Sequence, residues 1–161
     1  MGRKMAADIL DNLIVLKTNK TTKEDVLKEM ADAAIAAGYA KKGYYEALIE
    51  REKKYPTGLH IPDIEVAIPH ADAEWAIKPS VTIGILEKPV VFEPMGEEGG
   101  PVNVELVFML TIEDPKEHID FLRAFTTLMS DTALLIDLSK IGDPTKVIEL
   151  IRKGIPDRPK N

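Results

Sequence analysis

The stretch "VNVELVFMLTI", residues 102–112, limits the architecture more than any other part of this chain. From Val104 to Leu110 it runs nearly continuously apolar instead of alternating. A strand with one wet face alternates, whereas an unbroken apolar run belongs to a central strand covered on both faces. Layers of helix are therefore expected on either side of a sheet. The segments "IEVAI" and "SVTIGILEKPVVF" are also rich in Val, Ile, Leu and Phe and are interrupted by Pro and Gly, which predicts further strands. The acidic, glycine-rich "EPMGEEGGP" between Phe92 and Val102 reads as an exposed connection.

Helical periodicity flanks this centre. In "TTKEDVLKEMADAAIAAG" Thr21 and Glu24 have capping-box spacing, Val26, Met30, Ala33, Ala34 and Ala37 recur at helical intervals, and Gly38 is a C′ stop. "YYEALIEREKK" predicts a second helix with Tyr44, Leu48 and Arg51 on related faces. "DPKEHIDFLRAFTTLMS" starts with Asp114 as N-cap, Pro115 at the first helical position and Glu117 at N3, so residues 118, 122, 125 and 129 share a face. "DTALLIDLSKIG" reads as a short helix or a pair of turns. "DPTKVIELIRKG" repeats the Asp-Pro start with Val147, Ile148 and Ile151 inward, and the tail "IPDRPKN" reads as loose. The expected fold is α/β: one domain over residues 1–161, a mixed sheet flanked by helices.

The charge of −6 is spread, with basic residues alternating with acids, so a nucleic-acid footprint is not expected and a partner with a positive patch suits the chain better. Absence of cysteine removes disulfides, thiol catalysis and thiolate metal sites. "MGRKMAADIL" holds no apolar stretch long enough for a signal peptide or a spanning helix, so a cytoplasmic protein is expected.

Three histidines remain as chemistry: His60, His70 and His118. His70 ends "EVAIPHADAEW", where Pro69 restrains the backbone entering it and Ala71 and Ala73 leave room for close approach. His118 is expected near a helix N-terminus, a setting that accepts anions. An imidazole pair there can carry a phosphoryl group, with Arg51 as the nearest guanidinium suited to phosphate. No phosphate-binding glycine loop or kinase motif is present, so direct nucleotide use is not indicated. The residues alone leave other readings open: a metal held by the three histidines and Asp72, or structural histidines in a plain α/β domain.

The segments "YYEALIERE", "YPTGLHI", "VAIPHAD" and "VELVFMLTIEDPKEHIDFLRAF", with the spacing from His70 to His118, resemble the IIA domain of the fructose/mannitol class of the bacterial sugar phosphotransferase system, in its galactitol-like branch. The resemblance runs from about Asp8 to Ile151. It implies that His70 becomes phosphorylated, that His118 is the second active-site imidazole, and that Arg51 positions the phosphoryl group, with no metal or organic cofactor. It implies the small carrier HPr as donor and a cysteine of a IIB component as acceptor, with uptake through a IIC membrane component that this chain does not itself enter. Regulatory IIA-like proteins, which keep the histidine without serving transport, are the alternative it brings. Around His60 the "YPTGLHIPDIEVAIPH" segment departs from the family in lacking a glycine turn before the final strand.

Overall fold

The computed structural model describes residues 12–154. The N-terminal decapeptide and the tail after Gly154 lie outside the described residues, as does the side chain of Ile148. The elements are β1 (Leu13–Thr18), α1 (Lys23–Ala36), α2 (Tyr44–Lys54), β2 (Gly58–Leu59), β3 (Val66–Ala67), β4 (Ser80–Phe92), β5 (Val102–Thr111), α3 (Ile119–Met129), α4 (Thr132–Ser139) and α5 (Val147–Gly154).

One mixed sheet of order β1-β4-β5-β3-β2 organises them, and β5 is its middle strand. β4 and β5 are antiparallel, whereas β1 runs parallel to β4 and β3 parallel to β5. The unalternating run in β5 has the predicted meaning. Leu106 and Phe108 pack with Phe121, Phe125 and Leu128 of α3, while Val107 and Met109 pack with Met30 of α1 and Leu48 of α2. All four β5 side chains are completely buried. The β4–β5 register shifts between Ile85 and Val90, so Glu87, Lys88 and Pro89 bulge into solvent.

The strand β1 lacks a periodic signal. Leu13 to Leu16 are all half-buried at the sheet edge, so neither alternation nor a buried run marks it. "IEVAI" forms a strand only at Val66–Ala67. Ahead of it, Asp63 takes the left-handed turn conformation (φ 73°). Asp is among the few non-glycine residues that tolerate this geometry. Gly58 allows a close approach on the other side of this hairpin. A Cβ there would lie 2.7 Å from the Glu93 carbonyl oxygen and 2.9 Å from a Val102 methyl.

Helix starts correct two expectations. The cap of α1 is Thr22, whose hydroxyl accepts the Asp25 N–H at 3.1 Å, one residue later than the Thr21/Glu24 pair. The end of α1 is as expected: Gly38 (φ 84°) follows Ala37, with Tyr39 N–H bonded to Ala34 O and Gly38 N–H to Ile35 O. At both Asp-Pro starts the aspartate accepts from the residue two ahead: Lys116 N–H to Asp114 at 3.1 Å, and Thr145 N–H to Asp143 at 3.0 Å. These local bonds fold Pro115–Glu117 and Pro144–Lys146 into tight 3₁₀ turns, and the α-helices begin only afterwards. His118 is therefore the N-cap of α3 and not its fourth residue, and the buried stripe becomes Phe121, Ala124, Phe125 and Leu128.

His60 holds the glycine-rich connection to the β2–β3 hairpin. Its Nε2 donates to Gly100 O at 3.0 Å and its Nδ1 to the Glu65 carboxylate, which also accepts the Asn103 N–H at 2.8 Å. A ring donating from both nitrogens is an imidazolium, so the Gly100 carbonyl and Glu65 raise the His60 pKa above its ordinary 6.5. For Glu65, burial works upward, but the His60 and Asn103 bonds outweigh it and the carboxyl lies below its ordinary 4.5. A histidine with a raised folded pKa stabilises fully below its unfolded value and loses that contribution as pH rises through the folded one; the lowered carboxyl does so above its unfolded value. The stability gap between wild type and His60→Gln is thus expected to be widest between pH 4.5 and 6.5, and to shrink in melts taken above that range.

Candidate functional site

The site lies at the carboxyl ends of β3 and β5. Beyond β3 the chain continues parallel to β5, with the Leu110 N–H bonded to Pro69 O at 3.2 Å and His70 bridged to Leu110. Tyr44, fully buried at the start of α2, donates its hydroxyl to Leu110 O at 3.0 Å. Burial raises the Tyr44 pKa well above the ordinary phenol value, partly offset by the Ala71 N–H, so the hydroxyl stays a donor. Tyr44 thereby fastens α2 to the strand end beside His70.

His70 is half-buried, and its Nδ1 lies 3.1 Å from Ile68 O. A carbonyl only accepts, so Nδ1 carries the hydrogen, and in the neutral ring Nε2 holds the lone pair. His70 and Arg51 line one cavity of about 230 Å³, walled also by Asp72, Leu110, Pro115 and Leu122. Arg51 comes from the last turn of α2. Its Nη1 donates to Asp72 at 2.8 Å, its guanidinium sits 5.1 Å from the centre of the Tyr55 ring, and its buried Nε–H has no partner among the described residues. An ion pair this exposed adds only about 0.2–1 kcal/mol, so its effect is to orient the fork and leave other donors for an anion.

Not every expected residue converges. His118 does not line the His70 cavity. It borders a neighbouring one of about 380 Å³ with Asn12, Pro79, Lys116 and Phe121, and its Nε2 bonds the Glu113 carboxylate at 3.2 Å. The 3₁₀ turn before it supplies Pro115 to the His70 wall. His60 is committed to Glu65 and Gly100. No group of three or more His, Asp or Glu converges as a metal site among the described residues, so the ligand set of three histidines and Asp72 is not assembled. Trp75 is half-buried against Gly43 and lines a cavity with Arg51 and Tyr55; Ile68 serves through its carbonyl. No described helix is long and apolar enough to cross a membrane.

Sequence reasoning assigned no role to Asp72 beside Arg51 or to Glu113 beside His118. Asp72 stands two residues after His70 but meets an arginine 21 positions away, a pairing that only the tertiary fold creates.

The family model for the phosphoenolpyruvate-dependent sugar phosphotransferase system, EIIA 2, matches residues 9–154. The chain belongs to this family. As an EIIA 2 protein it is a phosphotransferase component, a phosphoryl carrier that works through a histidine, as the family resemblance implied. Among curated relatives, the galactitol-specific EIIA component of Escherichia coli K12 is 29% identical over 101 residues, which cover 63% of this chain and 67% of that one. The fructose-specific EIIABC component of Bacillus subtilis is 24% identical over 152 residues, 93% of this chain but 23% of that longer protein. Among solved structures, the E. coli complex of enzyme IIA-mannitol with phosphorylated enzyme IIB-mannitol contains the same fold, with a TM-score of 0.67, 22% identity, and coverage of 89% of this chain and 95% of that one. The mixed sheet flanked by helices is thus the architecture of EIIA 2 relatives.

Proposed function

We propose that this EIIA 2 protein accepts a phosphoryl group on Nε2 of His70 from phosphorylated HPr and passes it to a cysteine of a IIB component of a galactitol-like permease on the cytoplasmic side. One observation carries the choice of atom: Ile68 O holds the hydrogen on Nδ1, leaving the Nε2 lone pair in a cavity that Arg51 lines. The relative named galactitol-specific supports the sugar branch, and the solved IIA-mannitol complex with phosphorylated IIB-mannitol supports a IIB acceptor.

In the transfer, Nε2 attacks phosphorus in line. The new N–P bond forms as the bond to the donor imidazole breaks, and that electron pair returns to the donor nitrogen. Arg51 meets the charge on the equatorial oxygens. Because Ile68 O keeps Nδ1 protonated, the ring carries positive charge when phosphorylated and remains a good leaving group for the next hand-over. The phosphoryl group supplies all the chemistry, and no metal or organic cofactor takes part.

His118 has a supporting role across the Pro115 wall. His118→Ala is expected to slow acceptance about 10- to 100-fold while the label still appears on His70; full activity removes the role. The hand-over is tested by incubating the phosphorylated protein with galactitol-type and mannitol-type IIB and following loss of its phosphoryl mass. Transfer to the galactitol-type IIB supports the reading. Labelling at His70 with no transfer to any IIB points instead to a regulatory IIA-like protein.

A further inference from the structure

Asp72 stands where an aspartate has a ready local use, and it does not take it. It directly precedes the 3₁₀ turn Ala73–Trp75, a position from which an aspartate ordinarily caps the following turn with its own carboxylate. Here the side chain makes no capping bond. The backbone closes the turn instead, with the Trp75 N–H donating to Asp72 O at 3.0 Å. The carboxylate goes to Arg51, accepting from Nη1 at 2.8 Å, and Arg51 is the cation paired with it among the described residues.

That pairing lies where the phosphoryl group has to sit. The backbone at Asp72 is extended (φ −62°, ψ 154°), and residues two apart on an extended segment project to the same side. His70, Asp72 and Arg51 accordingly line one cavity of about 230 Å³. Asp72 and Arg51 also wall a second cavity of about 310 Å³, where Glu50 and Lys54 bring one charge of each sign and offset one another.

A phosphoryl group on Nε2 brings three acceptor oxygens and roughly two negative charges into this space. It draws on the guanidinium that Asp72 already holds, and it meets a carboxylate of its own sign. Without the phosphoryl group the Arg51–Asp72 pair is complete. With it, Arg51 is shared and the two anions repel. Both effects raise the phosphorylated state relative to the unphosphorylated one. Both are relieved in the hand-over, when the N–P bond breaks, its electron pair returns to Nε2, and the thiolate of the IIB cysteine bonds phosphorus.

We propose that Asp72 sets the phosphoryl-transfer potential of His70: it competes with the phosphoryl group for Arg51 and repels it, and so favours onward transfer over a long-lived phosphohistidine. The proposal rests on the reading of His70 as the acceptor. Asp72 forms and breaks no bond to phosphorus, so its signature is an equilibrium and not only a rate.

The test is Asp72→Asn, which keeps the shape and an acceptor for Arg51 and removes the charge. The side chain is 71% exposed and caps nothing, so the substitution leaves the fold in place. Protein phosphorylated through HPr is freed of enzyme I and phosphoenolpyruvate and mixed with unphosphorylated HPr; the reverse mixture is run beside it. Intact masses then give the final distribution of the phosphoryl group. Expected is a distribution shifted about 3- to 10-fold toward phosphorylated Asp72→Asn relative to wild type, with slower return to HPr and slower passage to IIB. Asp72→Glu, which restores the charge, is expected to move the distribution back toward wild type. Added salt should narrow the difference between wild type and Asp72→Asn. A carboxylate that only orients Arg51 predicts another result: forward and reverse transfer slow equally and the distribution stays at the wild-type value. That result, or a shift toward phosphorylated HPr, overturns the proposal and leaves the carrier reading standing. Wild type that takes no label from HPr overturns the carrier reading and this proposal with it.

Discussion

Replacing His70 by alanine is expected to abolish phosphoryl acceptance, with a loss on the order of 10⁴-fold or more, because no other group in the cavity supplies an imidazole lone pair. The remaining polar residues of the wall are Arg51, which only donates, and Asp72, which is paired with it. His118 borders a different cavity with Nε2 against Glu113, and His60 is held by Glu65 and Gly100, so neither stands in for the missing ring. The fold should survive, since His70 is half-buried at a strand end and the core on either side of β5 does not include it. Intact mass after incubation with enzyme I, HPr and phosphoenolpyruvate reads the result directly. A phosphoryl increment on folded His70→Ala would move the acceptor elsewhere.

The second large effect is expected at Arg51. Arg51→Ala should lower the single-turnover transfer rate about 10²- to 10³-fold, the loss found when a preorganised donor to developing charge is removed. Asp72 and the Tyr55 ring fix the guanidinium in the wall of the His70 cavity, and its buried Nε–H is still without a partner among the described residues. The guanidinium carries five N–H donors and Asp72 takes one through Nη1, so donors remain for a phosphoryl oxygen. Arg51→Lys should recover a small part of the loss, because an ammonium restores charge but not the fork or the Tyr55 contact. Rates measured across HPr concentrations separate this from weaker docking. A change confined to half-saturation, with the maximal rate intact, would make Arg51 a docking residue only.

The central layers were legible because their signals are local and redundant. Ser80–Phe92 has a β-rich composition interrupted by Gly84 and Pro89, and Tyr44–Lys54 has a buried stripe behind a glycine. The unalternating run in β5 implied two covered faces, and the sheet has them. His118 was misplaced for an equally local reason: Asp-Pro reads as an α-helix cap, but an aspartate that bonds two residues ahead makes a 3₁₀ turn first, and it does so at both Asp114 and Asp143. β1 at the sheet edge gave no period to read. The surroundings of His70 were illegible for another reason, since Asp72 meets Arg51 and Thr57 meets Ile68 only once the hairpin closes.

The account turns on one nitrogen. Its most direct test is a ³¹P and ¹⁵N–¹H correlation experiment on ¹⁵N-histidine-labelled protein phosphorylated through HPr. The account predicts a single phosphoramidate on Nε2 of His70, with Nδ1 still bonded to Ile68 O. A phosphoryl group on Nδ1, or on the ring of His60 or His118, would contradict it.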